Sequence, residues 1–142
     1  MRGGKGSTGL YASNDRIGYL HRWVAERKGL DMAGGREIDH VNGDRLDNRR
    51  ANLRLAQRSQ NMANGPARLR TSQYRGVSWR RRGKAWQAHI MVNRGNHFLG
   101  LYESETDAAR AYDLAAVAAF GEYARPNLPE LINEPAPMRR MR

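Results

Sequence analysis

Apolar positions recur with two periods along the chain. Tyr19, Leu20, Trp23 and Val24, with Arg27 completing the stripe, return at helical spacing, and Gly29 can end the run. This predicts a helix over residues 18–28. Residues 37–44 read as a short strand entering an Asn42-Gly43 turn. Residues 53–56 suit a second strand, and residues 59–64 a short helix ended by Gly65-Pro66. Period-two alternation then takes over. Residues 74–79, 85–92 and 97–102 predict three strands, with Trp86, Ala88, Ile90 and Val92 alternating against Gln87, His89 and Met91. A helix follows from Ser104, which with Asp107 has capping-box spacing, to Phe120, and Gly121 closes it. Ala108, Ala111, Ala115 and Ala119, with Tyr112, are its expected packing face. The pattern implies an α+β chain of two small domains, 11–64 and 74–129. Around them lie a flexible Gly-rich arm (1–10), a basic linker (65–73) and a loose tail (130–142).

Charge sharpens this outline. The 142 residues carry a net charge of +11. From Asn48 to Tyr102 there are twelve basic residues, eleven of them Arg, and no Asp or Glu; the remainder nearly cancels. Such a stretch calls for a polyanion, and the planar fork of Arg suits phosphates and guanine edges. A basic amphipathic helix of the membrane-surface type is missing from it. The absence of cysteine excludes disulfides, Cys-ligated zinc and thiol nucleophiles. No apolar run reaches the roughly 20 residues of a membrane span. The expectation is a cytoplasmic protein with double-stranded DNA as partner, without a membrane or a small-molecule cofactor.

One cluster carries candidate chemistry: Asp39-His40, Asn42-Gly43-Asp44, Asp47-Asn48, Asn52-Leu53-Arg54 and Asn61. Phosphodiester hydrolysis needs a base, a hard cation, oxygen ligands for it, and basic groups for the backbone. His40 titrates near neutrality and can act as base. A carboxylate plus the Asn61 amide suits Mg²⁺, which keeps several waters. Each residue also has a structural reading: a strand-end histidine, an Asn-Gly turn, a capping amide. Spacing alone leaves both standing.

The residues Ile38-Asp39-His40-Val41-Asn42-Gly43-Asp44, Leu46-Asp47-Asn48-Arg49-Arg50-Ala51-Asn52-Leu53-Arg54 and Ser59-Gln60-Asn61-Met62-Ala63-Asn64 resemble an HNH homing endonuclease of the phage His-Asn-Asn branch. His21-Arg22-Trp23-Val24-Ala25-Glu26 resembles that branch's upstream helix. The resemblance implies a ββα-metal (His-Me finger) fold over about residues 17–64. It implies His40 as general base, Asp39 and Asn61 as ligands of one divalent ion (Mg²⁺, with Mn²⁺ as alternative), and Asn52 as brace of the intervening loop. One such site cuts one strand, so a monomer is expected to nick.

Tyr74-Arg75-Gly76-Val77-Ser78-Trp79, Trp86-Gln87-Ala88-His89-Ile90, Leu99-Gly100-Leu101-Tyr102, the helix Asp107–Ala116 and Asn127-Leu128-Pro129 resemble an AP2/ERF DNA-binding domain. That implies a three-stranded antiparallel sheet in the major groove, packed on one helix. Trp86, Ala88 and Ile90 would face the helix, with Trp79 and His97 also on the inner side, and Gln87, His89 and Met91 would face DNA. Arg75 matches a family contact position. Ser78, Met91 and Asn96 stand where plant members carry Arg, and Phe98 replaces a groove-facing Trp. Arg80, Arg81, Arg82 and Lys84 supply charge instead. The expected DNA contacts are thus Arg75, Arg80, Arg82, Lys84, Gln87, His89, Asn96 and Phe98, with Arg54 and Arg58 from the first domain. The competing reading is a non-catalytic DNA-binding regulator on an HNH scaffold. RNA binding fits less well, because the sheet lacks paired exposed aromatics.

Overall fold

In the computed structural model, residues 2–6, 9–14, 18–65 and 71–140 are described. They divide into two units, Met1–Gly65 and Pro66–Arg142. The first unit opens with strands the sequence did not suggest. In place of an unpatterned arm, β1 (Arg2–Gly6) pairs antiparallel with β2 (Gly9–Asn14), and β2 with β3 (Gly18–Tyr19). Strand pairing is made by backbone groups, so a glycine-rich strand forms without the alternation that reveals strands in a sequence. The remainder of the expected arm, residues 1, 7 and 8, lies outside the described residues.

Helix α1 (Leu20–Arg27) follows directly. Strand β4 (Glu37–His40) pairs antiparallel with β5 (Leu53–Ala56), in register from Glu37↔Ala56 to His40↔Leu53. Helix α2 (Arg58–Asn64) starts at a Gln57/Gln60 capping box, where Gln57 N–H donates to Gln60 Oε1 at 2.7 Å. Ala25, Leu53 and Ala56 are buried, but so are Asp39, His40, Asn52 and Asn64. Among the described residues of this unit the buried set is therefore largely polar, and buried polar groups hold only when hydrogen-bonded. Lys28 serves this end: its ammonium donates to Arg50 O at 2.9 Å and Leu53 O at 2.8 Å, tying α1 to the start of β5.

The second unit is a sheet of order β6 (Val77–Arg80), β7 (Ala85–Val92), β8 (Gly95–Tyr102), all antiparallel, with helix α3 (Glu105–Phe120). A register shift at Ala88/His89 bulges β8 at Leu99. Ser104 caps α3 by accepting from Thr106 N and Asp107 N, and Gly121 ends it at φ +53°. The buried face of α3 is Ala108, Ala109, Tyr112, Asp113, Ala116 and Phe120. Ala111 and Ala115 are only half-buried and Ala119 is exposed, which corrects the expected face. Alanines occur all round this helix, so its larger residues choose the side. Val77, Ala88, Tyr102, Ala108 and Ala109 form the core, with Trp86, Leu99 and Leu128 packed against it. Trp79 meets Trp86 edge-on at 5.1 Å but remains partly open to solvent. His97 pairs with Ile90 in register, yet is exposed rather than enclosed.

Parts of the expected linker and of the tail expected to be loose make hydrogen bonds to the second unit. Of the linker, residues 66–70 lie outside the described residues, but Ser72 Oγ donates to Glu105 Oε1 at 2.7 Å and Thr71 Oγ1 accepts from Trp79 N–H at 2.8 Å. In the tail, Arg140 N–H donates to Leu101 O at 2.7 Å, and its guanidinium reaches Gly83 O and Lys84 O. A further clamp lies between α3 and the segment that follows it. The Asp113 carboxylate, 1% exposed, accepts from Asn127 N (2.7 Å), Asn127 Nδ2 (3.0 Å) and Leu128 N (2.7 Å). Asn127 in turn exchanges two hydrogen bonds with the Arg75 backbone. Burial raises the Asp113 pKa, and the bonds from Asn127 and Leu128 offset part of that. Among the described residues no helix is long and apolar enough to cross a membrane.

Candidate functional site

The segment between β4 and β5 is built from short polar side chains that fold back on their own backbone. Asn42 Oδ1 accepts from Asp44 N, Asp44 Oδ1 from Leu46 N, and Asp47 Oδ1 from Arg49 N. These are three Asx-type turns in succession. Gly43, at φ +74°, takes the one backbone conformation in this turn that a side chain would disfavour. Asn52, 8% exposed, ties the loop's two ends together. Its Nδ2 donates to Asp47 O at 2.7 Å, its Oδ1 accepts from Asn42 N at 3.0 Å, and its backbone oxygen accepts from Val41 N. Asp47 is further fixed by Arg49, whose hydrogen bonds hold its carboxyl well below the usual carboxylate range.

His40 ends β4 with 5% of its surface exposed. Its Nε2 lies 3.2 Å from Asn48 Oδ1. With the proton on Nε2 that contact is a hydrogen bond, and the lone pair a base needs is on Nδ1. A chain of contacts therefore runs from Asn52 through Asp47 and Asn48 to the His40 ring. On its other side the ring packs edge-on against His21, with centroids 5.6 Å apart. His21 lies in the first turn of α1 and stacks on Tyr19. In the sequence Asn48 stands in the candidate cluster without a role, whereas His21 and Asn64 are given none at the site. Each reaches the site only through tertiary contact, though the upstream His21-Arg22-Trp23 motif was a signal.

The pKa of His21 is lowered to about 4, first by burial, then by repulsion from His40 and Arg22. Its unfolded value is near 6.5. The unfolded chain then binds the proton more tightly, so His21 contributes stability fully above pH 6.5 and loses it progressively as pH falls towards 4. Thermal melts of the wild type should drop more steeply between pH 7 and 5 than those of His21→Gln. Parallel curves would show that His21 does not titrate this way.

Asp39 is 3% exposed and held on both oxygens. Arg54 Nε donates to Oδ2 at 2.8 Å, and Asn64 Nδ2 donates to Oδ1 at 2.9 Å and also to His40 O at 2.7 Å. Asn61, expected beside Asp39, instead donates its Nδ2 to Glu37 Oε2 at 2.6 Å. Asn61 and Asn64 are three residues apart and share a helix face, so the motif spacing could not say which one meets Asp39. Arg54 pairs with Asp39, and Arg58 pairs with Glu37 at 3.3 Å from an exposed position. A cavity of about 290 Å³ opens here, lined among others by His21, Arg22, Arg36, Glu37 and Asn61. Among the described residues no cluster of three or more His, Cys, Asp or Glu is placed to hold a metal.

In the second unit, pairing register places Ser78, Gln87, His89, Met91, Phe98 and Asn96 on the sheet face away from Trp86, Ala88 and Ile90. Gln87 Nε2 donates to Ser78 Oγ, and the His89 and Phe98 rings lie 5.1 Å apart. Arg82 and Lys84 are exposed in the β6–β7 turn, and Arg80 half-buried at the end of β6. The Arg75 guanidinium acts on the Tyr112 hydroxyl and offsets part of the upward push that burial gives its pKa.

Residues 18–63 match the family model described as HNH endonuclease. The chain is 32% identical over 90 residues to an uncharacterized HNH endonuclease of Acanthamoeba polyphaga mimivirus, covering 63% of this chain and 46% of that protein. It is 50% identical over 62 residues to the dehydration-responsive element-binding protein 2C of Arabidopsis thaliana, covering 42% of this chain and 18% of that protein. It is 47% identical over 53 residues to the APETALA2-like protein 2 of Oryza sativa subsp. indica, covering 37% of this chain and 12% of that protein. The chain thus spans less than half the length of these curated relatives. No solved structure matches it significantly. The chain joins an HNH-type segment to an AP2-type segment.

Proposed function

We propose that this chain is a metal-dependent DNA endonuclease of homing type, in which the first unit hydrolyses a phosphodiester bond and the second binds duplex DNA. The observation that carries the reading is the braced histidine: His40 held by Asn48, in a loop fixed by Asn52, next to the buried carboxylate Asp39. Water attacks phosphorus, His40 takes the water's proton, and the bond to one deoxyribose oxygen breaks. Asn52 acts through Asn48 as a positioning residue. Arg22 and Arg36 line the adjoining cavity, whose wall does not include His40 or Asp39, and so suit a flanking backbone phosphate rather than the one cut.

Asp39 and Asn61 are the oxygen donors that would hold a hard cation. Asp39 Oδ1 accepts from Asn64 Nδ2 and Oδ2 from Arg54 Nε, and Asn61, whose Nδ2 turns to Glu37, would offer its amide oxygen. One carboxylate and one amide are enough for Mg²⁺, which fills its remaining positions with water and phosphate. A bound ion would polarise the phosphate and neutralise charge on the leaving oxygen.

Purified protein with Mg²⁺ is expected to convert supercoiled plasmid to open circles, and EDTA to stop it. An inert protein with both Mg²⁺ and Mn²⁺ removes the enzyme reading. The enclosure of Asp39 by Arg54 and Asn64 favours the alternative, a DNA-binding protein that does not cut. Duplex binding without cleavage of any substrate is its signature.

A further inference from the structure

The open face of the second unit's sheet is charged at its ends and uncharged between them. Arg80, Arg82 and Lys84 stand at or in the β6–β7 turn, and Arg94 in the β7–β8 turn. Between these ends, Met91 is 55% and Phe98 47% exposed, the largest apolar groups this face presents. They are cross-strand diagonal neighbours, because Phe98 pairs with His89 and Met91 with Asn96. The His89 ring props Phe98, and burial pushes the His89 pKa down, so this part of the face stays uncharged.

We propose that Met91, Asn96 and Phe98 make this face a reader of A·T pairs in the major groove. The inference rests on duplex DNA being the partner, which charge complementarity supports: residues 48–102 hold no acidic side chain. Phosphate contacts position a protein and base contacts specify sequence, and the division of this face into basic ends and a neutral middle matches those two tasks. In the major groove thymine offers a methyl group, which only apolar surface exploits, and adenine offers the N6/N7 edge, which an Asn amide pairs with in two hydrogen bonds. Guanine is read best by Arg or Lys, and the middle of this face has neither. Asn96 and Phe98 lie two residues apart on one strand face, about 6.6–6.8 Å. That span is two base-pair steps of roughly 3.4 Å, so the amide and the ring can address base pairs two steps apart.

The test uses the full chain in EDTA, which suppresses cleavage. Selection from random duplexes should return a core with at least two A·T pairs. Replacing thymine by uracil in that core removes only the methyl and should weaken binding several-fold. Met91→Ala and Phe98→Ala should abolish this sensitivity to uracil. Asn96→Ala should relax the adenine preference by about 5–100-fold. All three positions are exposed, and thermal melts confirm that the variants fold. A G·C core, or indifference to uracil in the wild type, overturns the inference while leaving the nuclease reading intact. Failure of the full chain to bind any duplex overturns both.

Discussion

Replacing His40 with alanine is expected to slow plasmid nicking by about 10²–10⁴-fold, the usual contribution of a positioned general base. The loss is chemical rather than a failure to reach DNA, because the basic surface of the second unit is untouched. Duplex affinity in EDTA should therefore change little. The substitution also removes the partner of Asn48 and the edge of His21. Some stability is lost with them, so rates are compared at a temperature where circular dichroism shows both proteins folded. Asn52→Ala gives the complementary result. It frees Asp47 O and Asn42 N from their side-chain partner and loosens the loop that presents Asn48. The rate should fall by less than in His40→Ala, because the base itself remains. Equal nicking by wild type and His40→Ala would sink the assignment of the base.

Asp113→Ala should cost about 3–5 kcal/mol in the second unit. Three donors, two backbone N–H groups and one amide, lose a buried acceptor together. Each orphaned donor costs about 1–3 kcal/mol, discounted here because water enters part of the gap. For a unit of this size each kcal/mol lowers the melting midpoint by about 4–8 °C. The midpoint should therefore drop by at least about 12 °C. The damage spreads beyond α3, because Asn127 links Asp113 to the Arg75 backbone at the entry to β6. Hydrogen exchange should show lost protection at Asn127, Leu128 and Arg75. A shift below about 1 kcal/mol would mean that the clamp is incidental. Asp113→Asn should fall between, since it keeps one acceptor oxygen but turns an NH₂ towards a donor.

Local chemistry was legible in the sequence, and contacts distant in the chain were not. Strand β7 lies over the expected residues because its alternation is complete within eight positions. Ser104 and Gly121 mark the ends of α3 because a cap is a bond between neighbours. The packing face of α3 was not legible, since alanine on every side carries no direction. The β1–β2 pairing left no side-chain signal, and the docking of the tail depends on Arg140 reaching carbonyls more than fifty residues away. At the candidate site, Asp39, His40 and Asn52 stand out as a motif. That Asn64 and not Asn61 meets Asp39 follows from how α2 is rotated on β4, which spacing does not encode.

Arg140 has a consequence for solubility. Strand β8 is an outer strand of its sheet, and such strands present unpaired backbone groups on which a second chain can build. Arg140 N–H takes one of those groups, the Leu101 carbonyl, and Arg139 lies against Gly100. The prolines at 135 and 137 bring no N–H of their own, so this stretch can cover an edge without becoming a new strand. Shortening the chain before residue 139 would leave a β-strand edge open to self-association.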